Sequence, residues 1–229
     1  MSVIYLVRHG QASIGSSNYD NLSERGKEQA EILGRSFRKR VAAINEIQVG
    51  NLTRHSQTLE FFRSKYRTTA NVSHHDCWNE YDHVEIIQRF KPSYKRRWYM
   101  IADMTRKLNP KRDFMLMFEQ AMQRWMSGEY DDDYTETWRD FQNKCNDGLN
   151  QLIEKVGEDG TAIVFTSGGI ISAITQRQLN LPDEYFMQFN KRFVNCGVTK
   201  IISTKNGSFV STINDYSHFE LDRKLITYI

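Results

Sequence analysis

Short apolar runs alternate with amphipathic segments along the first third of the chain. Residues 3–7 are almost all apolar and rich in β-branched types, which is typical of a strand buried on both faces. Ser23 then occupies a helix N-cap position, and the apolar residues after it recur at helical spacing. Residues 46–50 and 69–73 are further strand candidates, and the segment 54–66 between them is a predicted helix. This alternation predicts an α/β fold.

The second half of the chain continues the alternation and ends in a hairpin. The predicted elements are a helix over 134–156, a strand over 161–166, a helix over 170–179, and strands over 198–204 and 209–214. Asn206-Gly207 between the last two strands is a strong hairpin signal. Together the elements predict a three-layer sandwich, in which helices flank a mostly parallel sheet that ends in a C-terminal hairpin.

The middle of the chain differs in composition. Residues from about 78 to 130 are rich in Met, Trp, Tyr and basic side chains and show no strand pattern. We interpret them as a helical insertion, either a partial lid or two surface helices, in a single domain spanning 1–229. Its basic side chains either meet a second anionic group of a substrate or form a solvated helix face. These side chains are Lys91, Lys95, Arg96 and Arg97.

Composition and charge narrow the function classes. The formal charge of +3 is small and its acids and bases are interspersed, which argues against nucleic acid binding. No apolar run approaches the ~20 residues of a membrane span. A strand at residue 3 leaves no room for a signal peptide, and the three scattered cysteines suit a reducing compartment. We therefore expect a cytoplasmic protein without a metal site.

Two loops follow predicted buried strands and suit phosphate. Arg8-His9-Gly10-Gln11 places a permanent cation beside a nucleophilic imidazole, and Gly10 lets the backbone turn close to a ligand. Ser167-Gly168-Gly169 leads into a helix, whose free N–H groups favour an anion. In open α/β sheets, ligands bind beyond the carboxyl ends of the strands. The second loop is equally typical of a plain tight turn.

Several motifs, in order along the chain, resemble one family. Residues 6–11 with 22–30 look like the opening of the histidine phosphatase superfamily, the phosphoglycerate mutase-like proteins. The later matches are 51–58 with its second arginine motif, 78–82 with its acidic motif, 163–171 with its second catalytic loop, and 195–199 and 214–219 with its closing strands. The resemblance covers nearly the whole chain except the middle.

The resemblance implies a mechanism without a cofactor. His9 would attack phosphorus and carry a transient phosphohistidine, and Glu80 would protonate the leaving oxygen and then activate water. The phosphate-binding residues that we expect are Arg8, Gln11, Arg54, Ser167 and Gly168. Arginine suits this task because its planar guanidinium binds two phosphoryl oxygens at once.

Ser167 departs from the family pattern, which has a second histidine at this place. A charged hydrogen bond stabilises by about 1.5–3 kcal/mol and a neutral one by about 0.5–1.5 kcal/mol, so serine predicts a slower or retuned enzyme. His55, His83 and His218 are candidate substitutes, although each is more readily interpreted as a surface or packing residue. Ser167 itself is a poor candidate nucleophile because no neighbouring base is evident from the sequence.

The expected activity is that of a phosphomonoester hydrolase. Glycolytic mutases of the family carry Arg directly after the acid, whereas Tyr81 follows Glu80 here. Two alternatives stay open: a phosphate-binding pseudophosphatase without efficient turnover, and a phosphoglycerate mutase-like phosphotransferase. The expected partner is a small phosphorylated substrate, with a phosphoprotein also open. The sequence does not decide the oligomeric state, a homodimer included.

Overall fold

The computed structural model describes residues 1–13 and 20–228, apart from the side chain of Arg97. The strands are β1 (Ser2–Arg8), β2 (Glu46–Val49), β3 (Asn71–His74), β4 (Thr161–Thr166), β5 (Val198–Thr204) and β6 (Gly207–Asp215). The helices are α1 (Glu24–Arg40), α2 (Thr53–Arg63), α3 (His83–Phe90), α4 (Arg97–Thr105), α5 (Pro110–Met126), α6 (Trp138–Val156), α7 (Gly168–Gln178) and α8 (Phe186–Asn190). The predicted α/β class is confirmed.

The strands form one six-stranded sheet in the order β3-β2-β4-β1-β5-β6. The first four are parallel, while β5 runs antiparallel to β1 and pairs with β6 as the predicted hairpin. Arg8 pairs with Thr166 at the carboxyl ends of β1 and β4. The loops that follow these two strands therefore begin side by side, as the site prediction requires.

Apolar side chains of α1, α2 and β4 pack together beside the sheet. Phe37, Phe62 and Phe165 are completely buried, with ring centroids 5.4 Å apart for the first two and 5.2 Å for the last two. Full burial of such a side chain stabilises by roughly 1.5–3 kcal/mol. The Ser23 hydroxyl caps α1 by accepting from the Gly26 amide at 3.1 Å, as its sequence position predicts.

Element boundaries differ from the predictions by a few residues. The helix predicted over 134–156 begins at Trp138, after a short turn at 131–133. The helix predicted over 170–179 begins two residues earlier, at Gly168. A Cβ at residue 168 would lie 2.9 Å from the Asn190 Oδ1 atom, so close packing favours glycine where helix propensity does not.

Contacts along the chain divide it into two compact units, 1–80 with 145–229, and 81–144. The second unit contains α3, α4 and α5 and no strand among its described residues, as predicted for the middle of the chain. Its interior includes an aromatic cluster, in which the ring centroid of Trp125 lies 5.4 Å from that of Tyr81 and 5.6 Å from that of Phe141. A single domain with a lid stays a prediction. No helix in the described part of the chain has the length and apolar character to cross a membrane.

Candidate active site

The loop after β1 is fixed by its backbone. The His9 amide donates to the Thr166 carbonyl at 2.9 Å, which ties the loop to the end of β4. The His9 carbonyl accepts from the Asn195 side-chain amide at 3.1 Å. The Gly10 amide donates to the Thr58 hydroxyl at 3.0 Å. A Cβ at residue 10 would lie 2.4 Å from the Gly26 carbonyl oxygen, so glycine is required here. These contacts leave the His9 backbone little freedom.

The His9 imidazole is buried, with 7% of the residue exposed, and its tautomer follows from one contact. Nδ1 lies 2.7 Å from the Gly10 carbonyl oxygen, which can only accept, so Nδ1 carries the proton and Nε2 the lone pair. Burial holds the pKa of His9 well below its ordinary value, and the Arg54 and Arg8 cations and His55 lower it further. The Gly10 carbonyl opposes this fall. A neutral imidazole with a free Nε2 is the nucleophilic form.

The charges of the two predicted arginines both lower the pKa of His9, but the two side chains are held differently. Arg8 Nη1 donates to the carbonyls of Phe193 and Tyr228, the second at 2.9 Å. Arg54 Nη1 donates to Asp20 at 2.6 Å, and its buried Nε has no hydrogen-bond partner among the described residues. Asp20, which the sequence interpretation missed, therefore orients Arg54 from another loop.

Ser167 contacts a histidine rather than its own helix. Its hydroxyl lies 2.7 Å from His55 Nε2, and both residues are completely buried. Ser167 is the N-cap residue of α7, yet its side chain makes no capping hydrogen bond. Of the two interpretations of His55, as a surface or a packing residue, burial excludes the first. A base that was not evident from the sequence, His55, lies next to the Ser167 hydroxyl. The ring centroids of His9 and His55 are 5.7 Å apart.

The His55 ring packs against Gly50. A Cβ at residue 50 would lie 2.3 Å from His55 Nδ1, so only glycine leaves room for the imidazole. Burial holds the pKa of His55 well below its ordinary value, and the Arg54 cation lowers it further. The Gly50 carbonyl partly offsets this fall, although Nδ1 makes no hydrogen bond of full geometry among the described residues. His55 is therefore neutral at pH 7.

The predicted acid lies at the start of α7. Half-buried Glu80 accepts from the Gly169 amide at 3.0 Å through Oε2. The N–H groups of a helix N-terminus attract negative charge, so this position stabilises the carboxylate that the expected proton transfer would leave on Glu80. Trp78, two residues earlier, is completely buried, and its carbonyl accepts from the Thr166 hydroxyl at 2.7 Å. The structure thus brings Glu80 to the same loop as Ser167 and Gly168.

Gln11, another predicted phosphate ligand, makes its hydrogen bonds to residues of the N-terminal part of the chain. Its side-chain oxygen accepts from the Ser23 hydroxyl at 3.0 Å, and its backbone amide donates to the Gln29 side-chain oxygen at 2.8 Å. Both contacts join the loop after β1 to α1. A direct role of Gln11 in phosphate binding stays a prediction.

The other candidate histidines have different surroundings. His83 is exposed at the start of α3, in the unit 81–144. His218 packs on Phe219 with ring centroids 4.1 Å apart. Burial lowers the pKa of His218 to about 4, assisted by the Arg40 cation and opposed by Asp215. Of the three, only His55 contacts Ser167.

The sequence leaves open whether the basic side chains of the middle region contact a substrate or form a solvated helix face. Lys91 forms an ion pair with Asp103 at 2.6 Å within its own unit, so its charge is already compensated. Arg97 lies outside the described side chains. A substrate contact by this basic run stays a prediction.

Thr58 is a second residue that the sequence interpretation missed. Its hydroxyl accepts from the Gly10 amide and donates to the Arg54 carbonyl at 2.6 Å, so it couples the nucleophile loop to α2. Thr58 stands four residues after Arg54, which places the two residues on one face of the helix. That spacing was the available signal.

Comparisons with known proteins identify a family for the chain. A sequence model of the histidine phosphatase superfamily (branch 1) matches residues 4–216. No curated protein matches the chain.

Among solved structures, YhfR from Bacillus stearothermophilus has a TM-score of 0.68 at 17% identity, covering 96% of this chain and all of its own. Phosphoglycerate mutase from Bacillus anthracis gives 0.64 at 15% identity, covering 95% and 94%. Phosphoserine phosphatase from Entamoeba histolytica, in complex with phosphoserine, gives 0.65 at 16% identity, covering 95% and 99%. At these identities the structures show a shared fold. Because the superfamily model spans most of its length, the chain belongs to the histidine phosphatase superfamily.

Proposed function

We propose that the chain is a phosphomonoester hydrolase that works through a phosphohistidine on His9. The observation that carries the proposal is the fixed tautomer of His9, with Nδ1 bound to the Gly10 carbonyl and Nε2 making no hydrogen bond among the described residues. The low pKa of His9 supports it further, because burial and two arginines keep the ring neutral. An imidazole held in this form beside two guanidinium groups suits attack on a phosphorus atom and little else.

The first step transfers the phosphoryl group to the enzyme. His9 Nε2 forms a bond to phosphorus while the bond from phosphorus to the ester oxygen breaks. The leaving alkoxide takes a proton from Glu80, so an alcohol departs and Glu80 becomes a carboxylate. Arg8 and Arg54 stabilise the charge on the equatorial phosphoryl oxygens during transfer.

The second step regenerates the enzyme. Glu80 removes a proton from water, and the water oxygen bonds to phosphorus as the bond to Nε2 breaks. Inorganic phosphate leaves, His9 is neutral again, and Glu80 holds the proton that the next turnover needs. No cofactor or metal takes part.

The reaction type and the substrate class are inferred from the residue after Glu80 and from the structural relatives. Tyr81 after Glu80, where mutases carry Arg, favours transfer to water over transfer between substrate hydroxyls. Phosphoserine phosphatase and phosphoglycerate mutase among the structural relatives support a small phosphorylated metabolite as the substrate. As the sequence leads us to expect, the reaction would take place in the cytoplasm. Serine replaces the family's second histidine at position 167, so we expect turnover that is slower or retuned.

The test measures phosphate release from p-nitrophenyl phosphate, phosphoserine and 3-phosphoglycerate. His9→Ala should lower kcat by on the order of 10⁴-fold or more, because the nucleophile is lost. His74→Ala is the matched control, since His74 is an exposed histidine on β3. Rapid acid-free quenching and mass spectrometry should find a phosphorylated His9 peptide in the wild type alone.

Three outcomes separate the candidate functions. Release of phosphate that depends on His9 supports the hydrolase. Transfer of the phosphoryl group to added phosphoglycerate in preference to water would make the chain a phosphotransferase. Binding of phosphate without release in the wild type would make it a pseudophosphatase and overturn the proposal.

A further inference from the structure

Two buried polar side chains meet at the candidate active site from distant parts of the chain. His55 comes from the first turn of α2 and Ser167 from the loop between β4 and α7, 112 residues later. Neither residue is exposed to solvent, so each must find its hydrogen-bond partner inside the protein. The Nε2 to Oγ distance of 2.7 Å shows that they satisfy each other.

We propose that His55 and Ser167 form a donor pair for the phosphoryl group. In this pair the Ser167 hydroxyl contacts a phosphoryl oxygen and His55, acting through that hydroxyl, directs its proton. The inference rests on the proposed function and gives the role of one histidine to two residues. Because Ser167 is completely buried, the groups that cover its hydroxyl must move aside before it touches the substrate, and His55 is a positioning residue.

The position of the Ser167 side chain supports this assignment. A serine at a helix N-cap ordinarily accepts from an amide of the first turn, but Ser167 does not. Glu80 accepts from the Gly169 amide of that turn instead, so the Ser167 hydroxyl is left for another task. The preceding residue, Thr166, accepts from the His9 amide, so Ser167 follows directly on the strand end beside the nucleophile.

The direction of the proton decides whether serine can serve an anion. If the hydroxyl donates to Nε2, the serine oxygen presents only lone pairs to a phosphoryl oxygen, which repels them. If Nε2–H donates to the serine oxygen, the hydroxyl proton is released toward the phosphoryl group. The Gly50 carbonyl lies close enough to raise the pKa of the ring, but Nδ1 makes no hydrogen bond of full geometry among the described residues, so the ring proton is only weakly held there and His55 can adopt this second form. A bound phosphoryl group therefore selects Nε2–H.

The space around His55 indicates a built arrangement. Gly50 leaves room for Nδ1, since a Cβ would approach it to 2.3 Å. Arg54, the neighbour of His55, is oriented by Asp20 at 2.6 Å. One short segment of α2 thus supplies both a phosphate-binding cation and the partner of Ser167.

The test uses three single variants at the pair, their double variant Ser167→Ala/His55→Phe and one control, with inorganic phosphate as the binding probe. Ser167→Ala removes the donor. His55→Phe keeps a flat ring but cannot direct a proton, and His55→Gln keeps an N–H group near the position of Nε2. His74→Gln, at an exposed histidine, is the matched control. Phosphate affinity is measured by calorimetry, kcat and KM with p-nitrophenyl phosphate, and folding by circular dichroism.

Ser167→Ala and His55→Phe should each lower kcat by about 10²-fold, as loss of one preorganised donor does elsewhere. The double variant Ser167→Ala/His55→Phe should lose no more than the worse single variant, because the pair acts as one unit. His55→Gln should recover to within about tenfold of the wild type, since an amide N–H restores the direction of the proton. The single losses should appear in phosphate affinity as well.

Additive losses in the double variant, or equal activity of the Phe and Gln variants, would show that His55 only packs, and would overturn the pair. If His55→Phe does not fold, the other two single variants still test the pair. The pair then requires a large loss of kcat in Ser167→Ala and a much smaller loss in His55→Gln. Phosphate binding separates this result from failure of the proposed function. A wild type that binds phosphate but does not turn over keeps the pair testable by affinity alone, whereas one that binds no phosphate overturns both.

Discussion

The loops after β1 and β4 lie side by side but control their reactive side chains in different ways. His9 is fixed by its own loop, through the carbonyl of the next residue, Gly10. Ser167 is held by His55, a side chain 112 residues away in sequence. The first arrangement is set by the backbone and leaves one tautomer. The second joins two side chains and leaves the direction of one proton open.

This difference separates a permanent function from a conditional one. A nucleophile needs its lone pair at Nε2 before the substrate arrives, and a backbone carbonyl, which cannot donate, ensures this. A donor to the phosphoryl group is needed only after the substrate binds, so a proton that can change partners is sufficient. The following predictions test the comparison, beginning with the largest expected effect.

Replacing Ser167 by histidine should have the largest effect on activity. Ser167→His alone places a second imidazole where His55 Nε2 already lies 2.7 Å from the side-chain oxygen. We expect kcat with p-nitrophenyl phosphate to fall by about 10²-fold, because crowding displaces both side chains. Ser167→His/His55→Ala should regain most of this loss, since one histidine then has the space of two residues.

The control for the exchange is His55→Ala alone, which should remain impaired. Wild-type activity of Ser167→His with His55 still present would contradict the crowding and the pairing. It would also show that Ser167 does not limit transfer.

Gly50→Ala should have the next largest effect. The new Cβ would lie 2.3 Å from His55 Nδ1 and 2.6 Å from the Trp78 carbonyl oxygen. Such overpacking costs about 1–3 kcal/mol, so we expect the free energy of unfolding to fall by about that amount, seen as a lower midpoint of urea unfolding with an unchanged m-value. Removing the ring as well, in Gly50→Ala/His55→Ala, should reduce the strain only in part. A midpoint equal to that of the wild type would show that the backbone moves freely here.

The smallest effect is a change in histidine titration. Both His9 and His55 should titrate below pH 6.5, because burial lowers both pKa values and the Arg54 cation lowers them further. Arg54→Gln should therefore raise both pKa values without restoring the ordinary value. Long-range ¹H–¹⁵N spectra can follow each ring over pH.

The same spectra distinguish the two loops. His9 should show Nδ1–H with and without inorganic phosphate, whereas His55 should shift to Nε2–H when phosphate is added. A His9 ring protonated at Nε2, or a His55 ring that does not respond to phosphate, would remove the distinction between them.

The sequence predicts the first loop well because its determinants are local. A buried apolar strand, an Arg-His pair and a glycine follow one another within residues 3–10, and the parallel alternation places them beside the loop at 167–169. The sheet, its hairpin and the cap at Ser23 follow from patterns of the same short range. The single-domain organisation and the role of Gln11 stay predictions.

The second loop could not be predicted in the same way. Arg54 and His55 are consecutive helix residues, whose side chains point about 100° apart, so the sequence does not indicate that both face the site. Tertiary packing brings both to the site, since Gly50 opens a space for the ring and Asp20 turns the guanidinium. These partners come from separate segments of the chain, and no local pattern joins them.

The two ends of the described chain differ in what they hold, and this matters for handling the protein. The Tyr228 carbonyl accepts from Arg8, and the Thr227 carbonyl from the amide of Asn195, whose side chain donates to His9. The Met1 ammonium meets exposed Asp159 at 2.7 Å, at the opposite ends of the strands. An affinity tag fused after the last described residues would disturb the contacts that hold the nucleophile loop, whereas one before Met1 would leave them unchanged.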